Sequence, residues 1–331
     1  MERKNINKFS ALKKGQSMEM TLLITDLKEG IDKNGNSYVT VFLSDGDTTK
    51  KINFFNSSIE QLMEQNITIK SIIDIKIERN DQFYNEKGYK IHSDADFTIN
   101  DFIHAAPIDV DKCFEHLKDQ IKSVDSNADG RGEYKSLSHL TIKMLEDYEE
   151  KFKRSSAAES MHHNCLSGLL LHTSNMVDLA LSFCNAYPSL DKELLVCGTA
   201  LHDIGKIFCY DTNDLGEASI TPLERLLGHP YVGSVLVREA AKKDSYDNEK
   251  ILLLTHMIVS HHGEKEWGAI VNPAFPEAFI LHELDIIDSK KYMYDETYKN
   301  LESGELSEKV YGLYNNSVFK PNNNNEQRGD E

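Results

Sequence analysis

The sequence lacks several features that would each indicate a class of protein. Its five cysteines include no Cys-x-x-Cys pair, so we expect reduced thiols in a cytoplasmic protein. No apolar run approaches the roughly 18 residues of a membrane helix. The basic N-terminus is not followed by the apolar segment of a signal peptide. These absences favour a soluble intracellular protein with no membrane partner.

Basic residues are also scarce, since 37 Lys and Arg stand against 54 Asp and Glu, a formal net charge of −17. Such a chain has no overall basic surface for nucleic acid. The charge is unevenly spread, however. Residues 1–100 carry 14 basic and 15 acidic side chains, so nearly all the acidity lies in residues 101–331. If a polyanion binds, the first hundred residues are the better candidate.

Strand-like sequence fills residues 15–100. The segments MTLLITDL, SYVTVFLSD and KKINFFN predict three strands, SSIEQLMEQN predicts a short helix capped by Ser58, and two further strands follow. This is the element order of a five-stranded OB-type β-barrel, whose sheet commonly binds single-stranded nucleic acid. Tyr38, Phe42, Phe54 and Phe55 are candidate base-stacking residues on that sheet, the alternative for each being a place in the barrel core.

Helical spacing dominates the rest of the chain, so the predicted fold class is α+β multidomain, an OB-type barrel followed by an all-α domain. The polar tail PNNNNEQRGDE predicts disorder. The predicted domains are an OB-type nucleic-acid-binding domain (1–100), a helical connector (101–155), a helical domain (156–315) and a disordered tail (316–331).

Histidine and aspartate recur within the apolar helices of the second domain. Burying an ionisable group without a partner is costly, and imidazole with carboxylate is a donor set for divalent transition metals. One such histidine alone would be a core residue, but the combination favours a metal site. The candidates are His172, His202, Asp203, His229, His261, His262 and Asp285.

Three other polar residues near these positions have simpler interpretations. Asp288, taken alone, is interpreted as a capped surface group. Thr221 and Glu224 are interpreted as the capping box of a helix whose first residue is Pro222. None of the three is predicted to take part in the metal site.

The segments GLLLHT, LHDIGK, LLGHP, SHHGEKEWG and LHELDIIDSK resemble the HD superfamily of metal-dependent phosphohydrolases, all-α domains named for an adjacent His-Asp pair. With the OB-type domain in front, residues 15–315 resemble the YhaM-type 3′→5′ exoribonucleases. The resemblance implies two divalent ions, manganese by preference, with cobalt or iron as alternatives. It implies that the first ion is held by His172, His202, Asp203 and Asp285. It implies that Asp203 bridges to a second ion held by His229, His261 and His262, although whether both of the last two bind the ion or one of them contacts the substrate is left open.

The resemblance also implies that phosphodiesters are hydrolysed by a water activated between the two ions, with Asp203 and Lys206 as catalytic residues. Lys206 lies one turn beyond the His-Asp pair, where it is placed to contact a phosphate. The alternative is that it compensates the dipole at a helix end. Further candidates for substrate contact are Arg225, His163 and Trp267.

The leading hypothesis is therefore a metal-dependent 3′→5′ exoribonuclease acting on single-stranded RNA, with single-stranded DNA as a further substrate. One alternative is an HD phosphodiesterase of nucleotides or cyclic dinucleotides. The OB-type domain argues against it, and the chain has no Gly-Tyr-Pro after His-His-Gly. A second alternative is a non-catalytic nucleic-acid-binding protein, against which the full ligand set argues. The oligomeric state is left open, a homo-oligomer included.

Overall fold

The computed structural model describes residues 7–80, 83–158, 165–216, 218–299 and 301–322. The chain divides into two compact units, residues 1–105 and 106–331. The first unit contains β1 (Ser17–Ile31), β2 (Ser37–Ser44), β3 (Thr49–Phe55), α1 (Ile59–Glu64), β4 (Ile72–Arg79) and β5 (Tyr84–Ile91).

The second unit is mainly helical. Its helices are α2 (Val110–Lys122), α3 (Leu137–Asp147), α4 (Glu149–Arg154), α5 (Gly168–Ala186), α6 (Lys192–Leu201), α7 (Lys206–Cys209), α8 (Pro222–Leu227), α9 (His229–Ala241), α10 (Asn248–Ser260) and α11 (Pro276–Lys299). Its strands are β6 (Tyr210–Thr212), β7 (Ala218–Ile220), β8 (Leu306–Val310) and β9 (Asn316–Phe319). No described helix is long and apolar enough to cross a membrane.

Strand β1 belongs to both halves of the antiparallel sheet of the first unit, which has the order β3-β2-β1-β4-β5. Its C-terminal part pairs with β2 and its N-terminal part with β4, and its register shifts between Ile24 and Asp26. A bulge of this kind bends a strand, so one long strand can serve both pairings. The ring of Phe54 in β3 stacks on Tyr89 in β5 with centroids 4.5 Å apart, which brings the outer strands together. The predicted OB-type arrangement is confirmed.

Burial alternates along these strands, as a barrel wall requires. In β2, Val39 and Val41 are fully buried, whereas Tyr38 and Phe42 lie on the opposite face. The short helix α1 begins where predicted, because the Ser58 hydroxyl accepts a hydrogen bond from the backbone N–H of Gln61. The barrel therefore presents one face of β2 and β3 outside its core.

One hydrophobic core runs through the second unit. Helices α2, α3 and α4, predicted as a connector, contribute Phe114, Leu140 and Phe152 to this core. Leu195 of α6 and Leu281 of α11 belong to the same core. The segment predicted to link two domains is thus packed as part of the helical unit.

Two short hairpins depart from the all-α expectation. Strands β6 and β7 have three residues each, too few for an alternating pattern to be visible in the sequence. Strands β8 and β9 form the second hairpin. The prediction that disorder begins at residue 316 is wrong for Asn316–Phe319, because Val318 is buried and the Tyr298 hydroxyl donates a hydrogen bond to the carbonyl of Phe319. Residues 323–331 lie outside the described part of the chain.

Candidate metal centre

Two pairs of candidate ligands lie at helix ends. His202 and Asp203 directly follow α6, and His261 and His262 directly follow α10. His202 and His261 are the C-cap residues of these helices, which is the position where backbone carbonyls run out of intrahelical partners. The apolar helices therefore bring both pairs to the inside of the unit, where His202, Asp203 and His261 are buried.

The other candidate ligands come from three more helices. His229 is the first residue of α9, after Gly228, whose φ of 76° turns the chain out of α8. His172 lies in the first half of α5, and Asp285 lies in α11. Five helices thus supply the seven side chains.

These side chains form two groups, and within each group the donor atoms all lie within 4.8 Å of one another. The first donor group is His172, His202 and Asp285. The second donor group is His229, His261 and His262.

Asp203 lies between the two donor groups. Its Oδ2 is 3.3 Å from Nε2 of His202 and 3.9 Å from Nε2 of His172. Its Oδ1 is 3.3 Å from Nε2 of His229 and 3.6 Å from Nε2 of His261. One carboxylate therefore faces each group with a different oxygen.

Hydrogen bonds fix the orientation of four imidazole rings. Nδ1 of His202 and Nδ1 of His261 donate to backbone carbonyls three residues earlier, those of Thr199 and Ile258, each at 2.7 Å. A ring that donates from Nδ1 keeps its Nε2 lone pair for another partner. Both Nε2 atoms consequently point towards Asp203.

Carboxylates fix the orientation of the other two rings. Nδ1 of His172 donates to Oδ2 of Asp288 at 2.6 Å, and Nδ1 of His229 donates to Oε1 of Glu224 at 3.0 Å. The interpretations of Asp288 as a surface group and of Glu224 as a capping-box residue are both wrong. Asp288 is buried, and the Glu224 side chain turns to His229, although Thr221 does cap α8 as predicted.

The donor set fits a divalent metal. Within the described part of the chain, Nε2 of His202, Nε2 of His229, Nε2 of His261 and Nδ1 of His262 are buried without a hydrogen-bond partner. The same holds for Oδ1 of Asp203. Leaving so many buried acceptors unsatisfied is costly, whereas a cation at their centre would satisfy them together.

The electrostatics of the site suit metal binding. Burial raises the pKa of Asp203, but the charges of Lys206 and His202 outweigh burial and hold the pKa well below its ordinary value. Burial and the neighbouring imidazoles lower the pKa of His261, and burial with the charge of His229 lowers that of His262 to about 4. The site therefore offers an ionised Asp203 and, at His261 and His262, neutral imidazoles, which are the ligand forms that metals bind. Burial lowers the pKa of His172, but Asp285 and Asp288 outweigh burial and raise that pKa to about 10, so a metal ion in the first group would displace a proton from this ring.

Lys206 is buried beside the candidate ligands. Its Nζ is 2.6 Å from Oδ2 of Asp203, so its ammonium group is an ion-pair partner of the carboxylate that joins the two groups. Burial lowers the pKa of Lys206, but the charge of Asp203 outweighs burial and keeps the amine protonated. The contact with a phosphate remains a prediction.

The other predicted substrate contacts in this unit are less enclosed. Arg225 is exposed on α8, next to Glu224 in the chain. Trp267 is 60% exposed in a short turn after α10, with its ring centroid 6.0 Å from that of His282. His163 lies outside the described residues.

A groove of about 790 Å³ crosses the outer face of β2 and β3 in the first unit. The predicted residues Tyr38, Phe42 and Phe55 line this groove, together with Lys28 and Lys51. Cross-strand pairing places Tyr38 opposite Phe55 and Phe42 opposite Lys51. The groove thus combines aromatic rings with ammonium groups.

The prediction that Phe54 stacks on bases is wrong. Its side chain is 1% exposed and packs in the barrel core, whereas that of Phe55 is 60% exposed in the groove. Successive residues of a strand point to opposite faces, so buried Ile52 indicates the inward direction of Phe54 as well. Phe83, 68% exposed, also lines the groove; strand patterns do not predict it, because it lies just before β5 and not in a strand.

Comparison with known proteins agrees with this geometry. Residues 169–290 match the HD domain family, a match that implies a divalent metal. The chain is also 31% identical over 310 residues to the 3′-5′ exoribonuclease YhaM of Geobacillus sp. (strain WCH70), an alignment that covers 93% of each protein. The chain therefore belongs to the YhaM family, and in this chain an OB-type domain precedes the HD domain.

Proposed function

We propose that this protein is a metal-dependent 3′→5′ exoribonuclease that hydrolyses single-stranded RNA, with single-stranded DNA as a further substrate. The relative at 31% identity bears the name of that activity. The observation that carries the proposal is the position of Asp203, whose two oxygens face two separate donor groups. All five cysteines lie within the described residues and none forms a disulfide there, which supports a reducing, cytoplasmic location.

We infer two ion sites, one in each donor group, with Asp203 between them and manganese favoured over cobalt or iron. Mixed imidazole and carboxylate donors suit all three metals. When bound, such ions polarise a phosphodiester and lower the pKa of a coordinated water. His261 and His262 both belong to the second group by geometry, so we include both as ligands.

The chain's own residues would then position the substrate. Lys206 holds Asp203 through its 2.6 Å ion pair and carries a positive charge to the centre of the site. Trp267 offers an exposed aromatic face to a terminal base, and Arg225 offers a guanidinium group to the strand. His163 is proposed as a further contact at the entrance.

We infer that the groove of the first unit binds the RNA strand. Tyr38 and Phe55 have ring centroids 6.0 Å apart and offer faces on which bases can stack. The ammonium group of Lys28 lies 4.8 Å above the ring of Phe42, so a phosphate and a base would find partners side by side. The first hundred residues are close to neutral, so the first unit repels a polyanion less than the acidic second unit does.

Purified protein incubated with 5′-labelled single-stranded RNA and Mn²⁺ tests the activity. We expect a ladder of products shortened from the 3′ end, lost in the presence of a chelator and lost in Asp203→Asn. Asp211→Asn, which changes an exposed carboxylate of β6, is the matched control and should retain the activity. Intact RNA alongside hydrolysis of mononucleotides or cyclic dinucleotides would contradict the proposal, and RNA that is bound but never cut would indicate a binding protein.

Binding of a labelled oligonucleotide in the presence of chelator tests the groove. Because stacking contributes about 1–3 kcal/mol per base, Phe55→Ala should weaken binding by roughly 5- to 150-fold. The matched control is Phe319→Ala, which removes a ring that is 51% exposed in the second unit. Equal losses in the two variants, or no loss in Phe55→Ala, would mean that the groove does not hold the strand.

A further inference from the structure

We propose that Asp288 and Glu224 are positioning residues that each control one of the two ion sites, Asp288 the first donor group and Glu224 the second. This inference rests on the proposed function, because it takes the two groups to be ion sites. It assigns a role to two carboxylates that neither belong to the donor groups nor contact the reacting phosphate.

The need for these carboxylates follows from where the histidines lie in their helices. His202 and His261 are C-cap residues, so each finds the backbone carbonyl of the residue three positions earlier within reach. Carbonyls are available there because the last turn of a helix leaves them without intrahelical partners. His229 begins a helix and His172 lies in the first half of one, where the unsatisfied backbone groups are N–H donors. An imidazole N–H in these positions needs an acceptor from another part of the chain.

Helix α11 supplies the acceptor for the first group. Asp288 lies one turn after Asp285, so one helix presents a carboxylate to the donor group and another to the far side of His172. Oδ2 of Asp288 accepts from Nδ1 of His172 at 2.6 Å, and its Oδ1 accepts from Nδ2 of Asn175 at 3.1 Å. With two hydrogen bonds and a side chain that is 8% exposed, this carboxylate is fixed in place.

Helix α8 supplies the acceptor for the second group. The Gly228 turn between α8 and α9 folds Glu224 back onto His229, whose Nδ1 lies 3.0 Å from Oε1. The carboxylate is 16% exposed, and the imidazole is 6% exposed. Each carboxylate therefore orients one histidine of one group.

A carboxylate behind a ligating imidazole fixes the ring and makes its free nitrogen a stronger donor, and removal of such a partner typically weakens metal binding by about 10- to 100-fold. Because Asp288 contacts the first group and Glu224 contacts the second, the two losses should be separable. We therefore expect each variant to weaken the binding of a different ion.

The experiment titrates Mn²⁺ into the full-length chain, stripped beforehand with chelator, and measures heat and bound Mn²⁺. Two ions should bind to the wild type. Asp288→Asn should weaken the binding of one ion by about 10- to 100-fold, and Glu224→Gln should weaken the binding of the other ion by a similar factor. The double variant should bind both ions more weakly than the wild type does. Glu224→Ala, which also removes the acceptor, should have a larger effect than Glu224→Gln.

Glu277→Gln is the matched control, since Glu277 is a buried carboxylate of the same unit that accepts a hydrogen bond from the backbone of Asp191. It should leave both ions unaffected, and circular dichroism establishes that every variant is folded. The inference is wrong if both variants weaken the binding of the same ion or weaken the binding of both ions equally. It is also wrong if both variants bind Mn²⁺ as the wild type does. A wild type that binds two ions but never cuts RNA overturns the proposed function alone, and a wild type that binds none overturns both.

Discussion

At the scale of single residues, position decides what an ionisable side chain can do. Asp203 is ionised although it is buried, because Lys206 and the surrounding imidazoles lower its pKa. His92 in the first unit is placed between two carboxylates instead, with Nδ1 2.9 Å from Asp74 and Nε2 2.7 Å from Asp96. Both nitrogens therefore donate to carboxylates, as only the protonated ring can.

The stability of the first unit should depend on the charge of His92. The hydrogen bond to Asp96, opposed by burial and supported by Asp74, raises the pKa of His92 above its ordinary value. A pKa that is higher in the folded than in the unfolded state adds stability that is complete below about pH 6.5 and is lost as the pH rises through the folded value. We expect the difference in free energy of unfolding between the wild type and His92→Gln to shrink over that range.

Urea unfolding at a series of pH values measures this difference. His116→Gln replaces an exposed histidine of the second unit and serves as the control. A difference between the wild type and His92→Gln that stays constant from acid to alkaline pH would contradict the prediction.

Sequence patterns could predict the candidate ligands but not the residues that hold them. An ionisable residue such as His172, Asp203 or Asp285 that is buried in an apolar helix needs a compensating partner. Such a residue can be recognised from the sequence of its own segment alone. Asp288 and Glu224 could not be found in this way, because their partners, His172 and His229, lie on other helices. Their roles depend on how the helices pack, which no local pattern contains.

At the scale of elements, the turn between α6 and α7 packs against the start of α9. A Cβ atom added to Gly205 would lie 2.2 Å from the carbonyl oxygen of His229 and 2.8 Å from the backbone nitrogen of Gly233. Neither backbone atom can move without moving α9. The close approach of these elements is what keeps His229 within 3.3 Å of Asp203.

Gly205→Ala should therefore displace α9, at a cost of about 1–3 kcal/mol in the free energy of unfolding. It should also weaken Mn²⁺ binding, because His229 moves with the helix. Gly198→Ala is the control, since its added Cβ would meet only the flexible side chain of Met257. Calorimetry and Mn²⁺ titration of the two variants measure both effects, and equal behaviour of the two would show that the contact with α9 is unimportant.

Element boundaries were predictable where a cap marks them. Ser58 and Thr221 start α1 and α8 as their hydroxyls indicate. The hairpin of β6 and β7 was not predictable, because it is held by the pairing of Tyr210–Thr212 with Ala218–Ile220 rather than by an alternating sequence. In β3, both Phe54 and Phe55 were predicted to stack on bases, although strand alternation allows only one of two adjacent residues to face the groove, and that residue is Phe55.

At the scale of the whole molecule, the proposed metal centre would join five helices of the second unit. Ligands that bind only the folded state stabilise it by mass action, by about 2.7 kcal/mol when the free ion is at 100 times its dissociation constant. Removal of the metal should therefore lower the melting temperature of the second unit, while the first unit, which contributes none of the seven candidate ligands, should be unaffected.

Differential scanning calorimetry of the full-length chain, with Mn²⁺ and with chelator, measures this shift. Asp203→Asn should abolish it, because the carboxylate shared by the two groups is lost. A shift of equal size in Asp203→Asn would mean that Mn²⁺ stabilises the chain from somewhere else.

The hydrogen bond between His172 and Asp288 joins residues that are 116 positions apart. During synthesis, His172, His202 and His229 leave the ribosome well before Asp285 and Asp288 do. A growing chain consequently has neither the last member of the first donor group nor the acceptor for its first histidine until α11 has emerged. The first donor group is therefore complete only once α11 has been synthesised and packs against α5.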